Sequence, residues 1–267
     1  MRRDGCLRTF GGMNDTTRTA VITGASRGLG LALTRRLVAD GWRVVVDART
    51  ATDLAAAFAG VDPAQVVAVA GDVASEEHRL ALRRAVIGLG GVDVIVHNAS
   101  RLGPSPERRI RIRPNGSGSA AGEDEVREAA LDAYPLDVLR EVYAVNVFAP
   151  LRLTQLLIPH LRAGGRIVFV TSDASVEAYE GWGGYGSSKA ALDHLAAVLA
   201  VEHPEFSVYA VDPGDMNTRM HQEAFPGEDI SDRPAPEASV PGLVEILTGD
   251  LPSGRYQARA LPAEVLR

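Results

Sequence analysis

A tyrosine and a lysine stand four positions apart in Tyr185-Gly186-Ser187-Ser188-Lys189. Lys189 is the only lysine among 28 basic residues, all the others being arginine. Because arginine stays protonated whereas lysine can release its proton, this exception indicates proton chemistry. Residues at i and i+4 share a helix face, so the pattern predicts that Lys189 favours the Tyr185 phenolate and lowers its pKa from about 10. The alternative is a surface tyrosine beside a surface lysine.

A glycine-rich turn supplies a second chemical signal. The apolar run Thr19–Thr23 predicts a strand, and Gly24-Ala25-Ser26-Arg27-Gly28-Leu29-Gly30 leads from it into a helical pattern. This order places backbone N–H groups and a helix N-terminus where a pyrophosphate can bind. Gly24 allows the tight turn, Gly28 lets the backbone approach a ligand, and Gly30 lets helix and strand pack closely. An ordinary glycine-rich turn is the alternative.

The two patterns together, Thr-Gly-x-x-x-Gly-x-Gly over residues 23–30 and Tyr185-x-x-x-Lys189, resemble the single-domain branch of the short-chain dehydrogenase/reductase family. The resemblance implies an α/β fold, a Rossmann-like doubly wound three-layer sandwich with a seven-stranded, mostly parallel sheet. It also implies a nicotinamide cofactor and a small carbonyl or alcohol substrate. The catalytic residues that it implies are Asn146, Ser172, Tyr185 and Lys189. The cofactor-binding residues expected are Gly24, Ser26, Arg27, Gly28, Leu29, Gly30, Arg49, Asp72, Val73, Asn98, Ala99, Tyr185, Lys189, Pro213, Gly214, Met216 and Thr218.

Each implied catalytic residue has a role by resemblance. Tyr185 exchanges a proton with the substrate oxygen, Ser172 hydrogen-bonds the developing alkoxide, and Lys189 binds the nicotinamide ribose. Asn146 anchors a water that connects the lysine to solvent. Taken alone, Ser172 could equally be a helix cap, and Asn146 a polar residue satisfied by backbone.

The end of the second predicted strand, Arg43–Asp47, bears on the choice of cofactor. Nicotinamide-binding folds place a carboxylate here for NAD, or a cation for the extra phosphate of NADP. Ala48 occupies the acidic position, and Asp47 faces the other way by strand alternation. Arg27 and Arg49 would flank the phosphate, so we expect NADP (NADPH) rather than NAD. A register shifted by one residue would give the position to Asp47 and favour NAD.

The remaining predicted strands each end in residues typical of the family. Val66–Ala70 precedes Asp72-Val73, where the aspartate could instead be a turn residue. Val92–Val96 precedes His97-Asn98-Ala99-Ser100, which resembles the family's Asn-Asn-Ala-Gly with histidine and serine as departures. Residues 165–171 lead to Ser172. Residues 208–211 lead to the Pro-Gly turn of 212–218, where Thr218 is a candidate contact for the carboxamide or pyrophosphate.

Two long helices are predicted, over 132–161 with Asn146 in the middle and over 185–202. In relatives the equivalent helices pair across a two-fold axis, so a homodimer or homotetramer is expected. We expect residues 1–16 to be a flexible extension and 17–267 a single domain, with 217–235 a substrate lid. Residues 101–125 contain an arginine cluster. We expect this segment to be either a flexible insertion or a basic flap over an anionic substrate.

Composition narrows the function. A net charge of −6 argues against nucleic acid and against an anionic membrane surface. The single cysteine, Cys6, excludes an internal disulfide and a cysteine-based metal site, and the histidine spacing predicts no metal. With no apolar signal segment, the expected location is the cytoplasm. The expected activity is NADP-dependent carbonyl reduction. Alcohol oxidation, epimerisation and a non-catalytic NADP(H)-binding sensor are the alternatives.

Overall fold

A parallel sheet runs through the centre of the chain. The computed structural model describes residues 17–103 and 130–261, and the backbone of a short antiparallel ribbon pairing Ile110–Arg111 with Val126–Arg127. The strands of the main sheet are β1 (Thr19–Ile22), β2 (Arg43–Ala48), β3 (Val66–Ala70), β4 (Val92–His97), β5 (Leu161–Val170), β6 (Ser207–Asp212) and β7 (Gly254–Gln257). Their spatial order is β3-β2-β1-β4-β5-β6-β7, and every pairing is parallel.

Helices cover both faces of this sheet. They are α1 (Gly28–Ala39), α2 (Ala51–Ala57), α3 (Glu76–Gly88), α4 (Leu136–Tyr143), α5 (Ala149–Leu157), α6 (Gly183–Glu202), α7 (Arg219–Ala224) and α8 (Val240–Thr248). Leu33 of α1 and Leu243 of α8 pack with Ile22 on one face. Leu153 of α5 and Leu192 of α6 pack with Val21 on the other. The predicted three-layer, doubly wound fold is confirmed.

Strand alternation explains why the strands read as continuous apolar runs. Val21 and Ile22 are adjacent and fully buried, yet they belong to cores on opposite faces. Parallel sheets covered on both sides need apolar residues at every position. The chain moves from β3 at one edge back past β1 to β4, so a crevice opens at the carboxyl ends of β1 and β4, where open α/β sheets bind ligands.

The helix predicted over 132–161 is interrupted. It begins at Leu136, widens into a π-helical turn over Ala144–Phe148, and continues as α5 to Leu157. Pro150 lacks an N–H and cannot donate the α-helical hydrogen bond to the carbonyl of Asn146, four residues earlier. A wider turn at this point follows from that missing bond. The fifth strand also begins earlier than predicted, at Leu161, which pairs with Val92.

One helical stretch of the described chain, Leu136–His160, meets a length-and-composition test for a membrane span. In the fold, 44% of its most apolar window is buried, and Leu153 and Leu157 are fully buried in a core shared with β4 and β5. Core helices of soluble proteins pass the same test.

Candidate active site

A cleft of about 1050 Å³ opens at the carboxyl edge of the sheet. It is lined by all but two of the residues predicted to be catalytic or cofactor-binding, the exceptions being Gly30 and Asn146. These two lie behind the surface and support it, as described below. Side chains separated by more than 150 positions in the sequence, such as Arg27 and Tyr185, thus border one space.

The glycine turn presents bare backbone to the cleft. Gly24 and Gly28 have φ values of +68° and +54°, which favour glycine. A Cβ on Gly28 would meet nothing closer than the Thr218 methyl at 3.6 Å, so that side of the backbone is open to a ligand. A Cβ on Gly30 would lie 2.6 Å from Asn98 Nδ2, so glycine is needed there for packing. The cradle and the size of the cleft fit a dinucleotide.

The segment after β4 holds the glycine turn in place. Asn98 Nδ2 donates to the carbonyls of Thr23 at 2.8 Å and Gly24 at 3.1 Å. The backbone N–H groups of Asn98 and Ala99 both lie 3.0 Å from Thr23 Oγ1 and donate to it. The predicted cofactor residues Asn98 and Ala99 therefore join β1 to β4 as well as bordering the cleft.

Asp47 lines the cleft together with Ala48, but both of its carboxylate oxygens are engaged by groups of the protein itself. Its Oδ1 accepts the N–H of Gly24 at 2.6 Å, and its Oδ2 lies 3.0 Å from Nε2 of the buried His78. This orientation is the one that strand alternation predicts. Ala48 borders the cleft, while Arg27 and Arg49 stand exposed at its rim, and neither has an ion-pair partner within residues 17–103 and 130–261.

At the end of β3, Asp72 is exposed and its Oδ1 accepts the N–H of Ala74 at 2.9 Å. This contact is the turn role that was the alternative interpretation of Asp72. Asp72 and the buried Val73 also line the cleft, so the two roles are compatible.

Lys189 and Tyr185 share one helix face, as predicted. Lys189 Nζ is buried, lies 5.5 Å from the centroid of the Tyr185 ring and donates to the carbonyl of Val170 at 2.8 Å. Burial raises the pKa of Tyr185 to about 12 and lowers the pKa of Lys189 to about 8. The prediction that Lys189 lowers the pKa of Tyr185 is therefore wrong for the polypeptide itself. Desolvation of the phenolate is the largest cause, and the nearby carboxylates of Asp173 and Asp212 raise the pKa further.

Two hydroxyl groups partly counteract the effect of burial on the pKa of Tyr185. Hydrogen bonding to Ser172 and Ser100 lowers the pKa of Tyr185, although less than burial raises it. Ser172 Oγ also donates to Asp173 Oδ1 at 2.8 Å. Ser100 stands where the family has glycine, so the sequence had marked it only as a departure. Its hydroxyl provides a second polar contact for the phenol.

Asn146 sits in the π-helical turn with its side chain fully engaged. Oδ1 accepts the N–H of Arg101 at 2.8 Å and the hydroxyl of Ser100 at 3.3 Å. Nδ2 donates to the Arg101 carbonyl and to Ser188 Oγ, both at 2.9 Å. Ser188 in turn donates to the Tyr185 carbonyl at 2.6 Å. The Asn146 side chain thus ties the segment after β4 to α6. Because its side-chain oxygen and nitrogen are both engaged, the water predicted at this residue would have to bind the backbone carbonyl of Asn146.

The predicted Pro-Gly turn follows β6. Gly214 has a φ of +71°, and its N–H donates to Asp212 Oδ1 at 2.8 Å. The carbonyl of Pro213 accepts from Ser239 Oγ at 2.7 Å. Thr218 caps α7, since its Oγ1 accepts the N–H of His221 at 3.2 Å. Met216 lies between these residues, partly buried, and lines the cleft.

His97, the other departure from the family pattern, is buried away from the chemistry. Its ring stacks on Phe169 with centroids 4.8 Å apart, and Nε2 lies 2.7 Å from Thr154 Oγ1. Burial lowers the pKa of His97 to about 3, so the ring is neutral at physiological pH. Within the described ranges, no three histidine, cysteine or acidic residues lie close enough to hold a metal ion.

Arg255 is a contributor that sequence reasoning missed. From β7 it donates to the carbonyl of Ser172 at 3.0 Å and to Asp193 Oδ2 at 3.1 Å. Asp193 lies one helical turn beyond Lys189 and also accepts the hydroxyl of Ser175 at 2.6 Å. The spacing Tyr185, Lys189, Asp193 was visible in the sequence, but the arginine that joins it to Ser172 comes from a distant strand.

Comparison with known proteins agrees with this architecture. A family model for short chain dehydrogenases matches residues 18–229. The benzil reductase ((S)-benzoin forming) of Saccharomyces cerevisiae is 30% identical over 93% of this chain and 88% of its own length. The L-xylo-3-hexulose reductase of Hypocrea jecorina is 32% identical over 78% of this chain and 70% of its own. A short chain dehydrogenase structure from Pseudomonas syringae superposes with a TM-score of 0.76 at 27% identity, covering 90% of this chain and 94% of that one.

The chain belongs to the short-chain dehydrogenase/reductase family. It is an oxidoreductase of the class that acts on CH–OH groups, and members of this family use a nicotinamide cofactor.

Proposed function

We propose that this enzyme reduces a small-molecule ketone or aldehyde to an alcohol with NADPH. The observation that carries the proposal is the meeting of Tyr185, Ser172 and Lys189 in the same cleft as the open glycine turn. When bound, the nicotinamide supplies the hydride. The fold brings the two halves of the site together at the carboxyl edge of the sheet.

The protein residues donate the proton and stabilise the charge that develops on the substrate oxygen. Tyr185 keeps its proton across the physiological range, because burial raises its pKa to about 12, and this is the form that can donate to a carbonyl oxygen. Ser172 supplies a second hydroxyl at the same oxygen. Lys189 brings a positive charge near the ring, and Asn146 positions α6 through Ser188.

Selectivity for NADP over NAD rests on Ala48, Arg27 and Arg49. With Asp47 occupied by Gly24 and His78, no carboxylate of β2 is left for an adenosine ribose. Two exposed guanidinium groups at the rim suit a phosphate instead. Arg49→Leu is expected to weaken NADPH binding about tenfold or more and to change NADH binding little. Arg36→Leu, on the outer part of α1, is the matched control, and equal losses for both cofactors would contradict this assignment.

The reaction is tested with Tyr185→Phe. Steady-state reduction of a panel of ketones, followed by NADPH absorbance, should fall by at least about a thousandfold, because the proton donor is removed. NADPH affinity, measured by fluorescence titration, should stay within about twofold, because the hydroxyl has little part in holding the dinucleotide. Turnover comparable to the wild type in this variant would disprove the proposed role of Tyr185.

Alcohol oxidation and epimerisation on the same residues are competing activities, and a non-catalytic NADP(H) sensor is a third. The presence of both Tyr185 and Lys189 favours catalysis over sensing. Binding of NADPH without consumption of any ketone, and without reduction of NADP by any alcohol, would support the sensor.

Assembly into a homodimer or homotetramer is also part of the proposal. Exposed apolar side chains support it: Phe148 is 58% exposed beside α5, and Val201 near the end of α6 is 81% exposed. Burial of such side chains between subunits is favourable. Light scattering should give a mass of two or four chains, and Val201→Glu should lower it. A cytoplasmic location stays a prediction.

A further inference from the structure

Four aromatic rings line one end of the cleft. The Trp182 ring lies 6.0 Å from the Tyr185 ring in an edge-to-face arrangement and 5.6 Å from the Phe225 ring. Phe225 also packs against His221 at 4.9 Å. All four residues line the cleft, and the rings of Trp182 and Phe225 are only partly buried within the described chain. Partly exposed aromatic rings beside a proton donor offer a large apolar surface to a ligand.

The rings of Trp182 and Phe225 come from two separate elements. Trp182 immediately precedes α6, which carries Tyr185, whereas Phe225 ends α7 in the segment predicted to be a lid. Their contact therefore joins α6 to the end of α7 beside Tyr185. A group attached to the carbonyl carbon of a substrate that hydrogen-bonds to Tyr185 would reach these rings first.

Charge around this end of the cleft does not favour an anionic group. Two of the four arginines that line the cleft are paired, Arg101 with Glu141 and Arg219 with Glu223 at 2.8 Å. The other two, Arg27 and Arg49, belong to the glycine turn and to the end of β2. Asp173 lines the same region and accepts hydroxyl hydrogen bonds from Ser172 and Tyr179, but it has no ion-pair partner among the described residues. An uncharged substituent avoids repulsion from this carboxylate.

We propose that Trp182 and Phe225 form an aromatic wall that selects neutral ketones carrying an aryl group on the carbonyl carbon. The proposal rests on the reductase function proposed above and specifies its substrate class. A flat ring stacks on an exposed indole face better than a puckered ring of the same size, because offset and edge-to-face contacts need planarity. Trp182 and Phe225 are therefore specificity-determining residues, while Tyr185 and Ser172 act on the oxygen.

The test compares acetophenone with cyclohexyl methyl ketone, which is similar in volume but not flat. The wild-type kcat/KM ratio of aryl to cyclohexyl ketone should fall by about fivefold or more in Trp182→Leu, which corresponds to the loss of one aromatic contact. Trp182→Phe should keep most of the preference, because a ring remains. Phe225→Leu should lower the ratio in the same direction. Phe206→Leu, whose ring packs on His203 outside the cleft, is the matched control and should leave the ratio unchanged.

A binding readout is independent of turnover. In the Tyr185→Phe background, acetophenone should quench tryptophan fluorescence, and the quenching should disappear when Trp182→Phe is added, since the other tryptophan, Trp42, is buried in the core. An unchanged ratio in both Trp182→Leu and Phe225→Leu, or quenching that survives Trp182→Phe, would overturn the aromatic wall. Preferred reduction of phenylglyoxylate, an anionic aryl ketone, over acetophenone would overturn the proposed selectivity for neutral ketones. If NADPH is consumed with none of the ketones, the reductase function fails instead.

Discussion

The guanidinium of Arg255 donates a hydrogen bond to the backbone carbonyl of Ser172 at 3.0 Å, although the two residues lie 83 positions apart. The same side chain contacts Asp193 at 3.1 Å and lies 3.8 Å from Asp212. The last strand of the sheet thus fixes the ends of β5 and β6 relative to α6. One cation therefore contacts both the backbone of Ser172 and a carboxylate that lies one helical turn beyond Lys189.

Arg255→Met is expected to lower kcat about tenfold and to leave KM and NADPH affinity nearly unchanged. The reason is that Ser172 loses its fixed backbone position, and a small displacement of a group that stabilises the transition state is costly. Steady-state kinetics provides the measurement. Arg255→Lys should recover part of the loss, because lysine can still donate to one acceptor. Arg36→Met removes an exposed pair with Asp40 and is the control. A change confined to KM would contradict the positioning role.

Removal of the Ser100 hydroxyl is expected to slow alcohol oxidation more than carbonyl reduction. Ser100→Gly restores the residue typical of the family and removes a hydrogen bond that lowers the pKa of Tyr185. That pKa should rise further, so alcohol oxidation, which needs the phenolate, should slow about fivefold, in keeping with one hydrogen bond. Reduction should change less. Both rates would be measured at one pH, with Ser187→Ala as control; equal effects on both directions would contradict the prediction.

The pH dependence of carbonyl reduction should follow the loss of the proton from Lys189. Its pKa is lowered to about 8 by burial, whereas that of Tyr185 is raised to about 12, so the lysine is the first of the two to lose its proton as pH rises. Because the ammonium supports charge developing on oxygen, kcat/KM for reduction should decline as pH rises through about 8. A pH–rate profile from 6 to about 10 tests this sign. A profile that stays flat to about pH 10 would exclude an ionised lysine from the mechanism.

Lys189→Met is expected to inactivate the enzyme and to stabilise its fold. Burial lowers the pKa of Lys189 from 10.5 to about 8, which costs about 3 kcal/mol of folding free energy at neutral pH. Loss of the bond to Val170 offsets about 1 kcal/mol, leaving a gain of about 2 kcal/mol.

The sign of this effect depends on pH. The folded pKa is below the unfolded one, so the penalty is complete below about pH 8 and disappears as pH rises toward 10.5. Urea unfolding of both proteins should therefore show a difference at pH 7 that shrinks near pH 10. A variant less stable than the wild type at pH 7 would show that the ammonium is well paired in the fold.

The glycine turn illustrates how far local pattern can predict a site. Gly24, Gly28 and Gly30 were each assigned a role from spacing, and the φ values and close approaches in the structure agree with those roles. Such roles depend on backbone conformation and on neighbours within a few residues, which the sequence specifies directly. The same holds for the i, i+4 placement of Tyr185 and Lys189 on one helix face.

The electrostatics of those two side chains could not be predicted in the same way. The sequence placed a cation beside a phenol and implied a lowered pKa for Tyr185, but burial of both groups produces the opposite shift. Likewise, nothing local indicates that Arg255 reaches Ser172, or that Pro150 and the π-helical turn bring Asn146 to Arg101 and Ser188.

By itself the sequence determined the order of strands and helices, the glycine cradle and the identity of the residues at the carboxyl edge of the sheet, because periodicity and turn chemistry are short-range properties. The tertiary structure decided which side chains share a surface, how deeply each is buried and which contacts they make. Contacts such as those of Trp182 with Phe225 and of Arg255 with Ser172 join separate elements, and burial depends on everything packed around a group. A pKa or a binding surface follows from those properties and can be read only once the chain is folded.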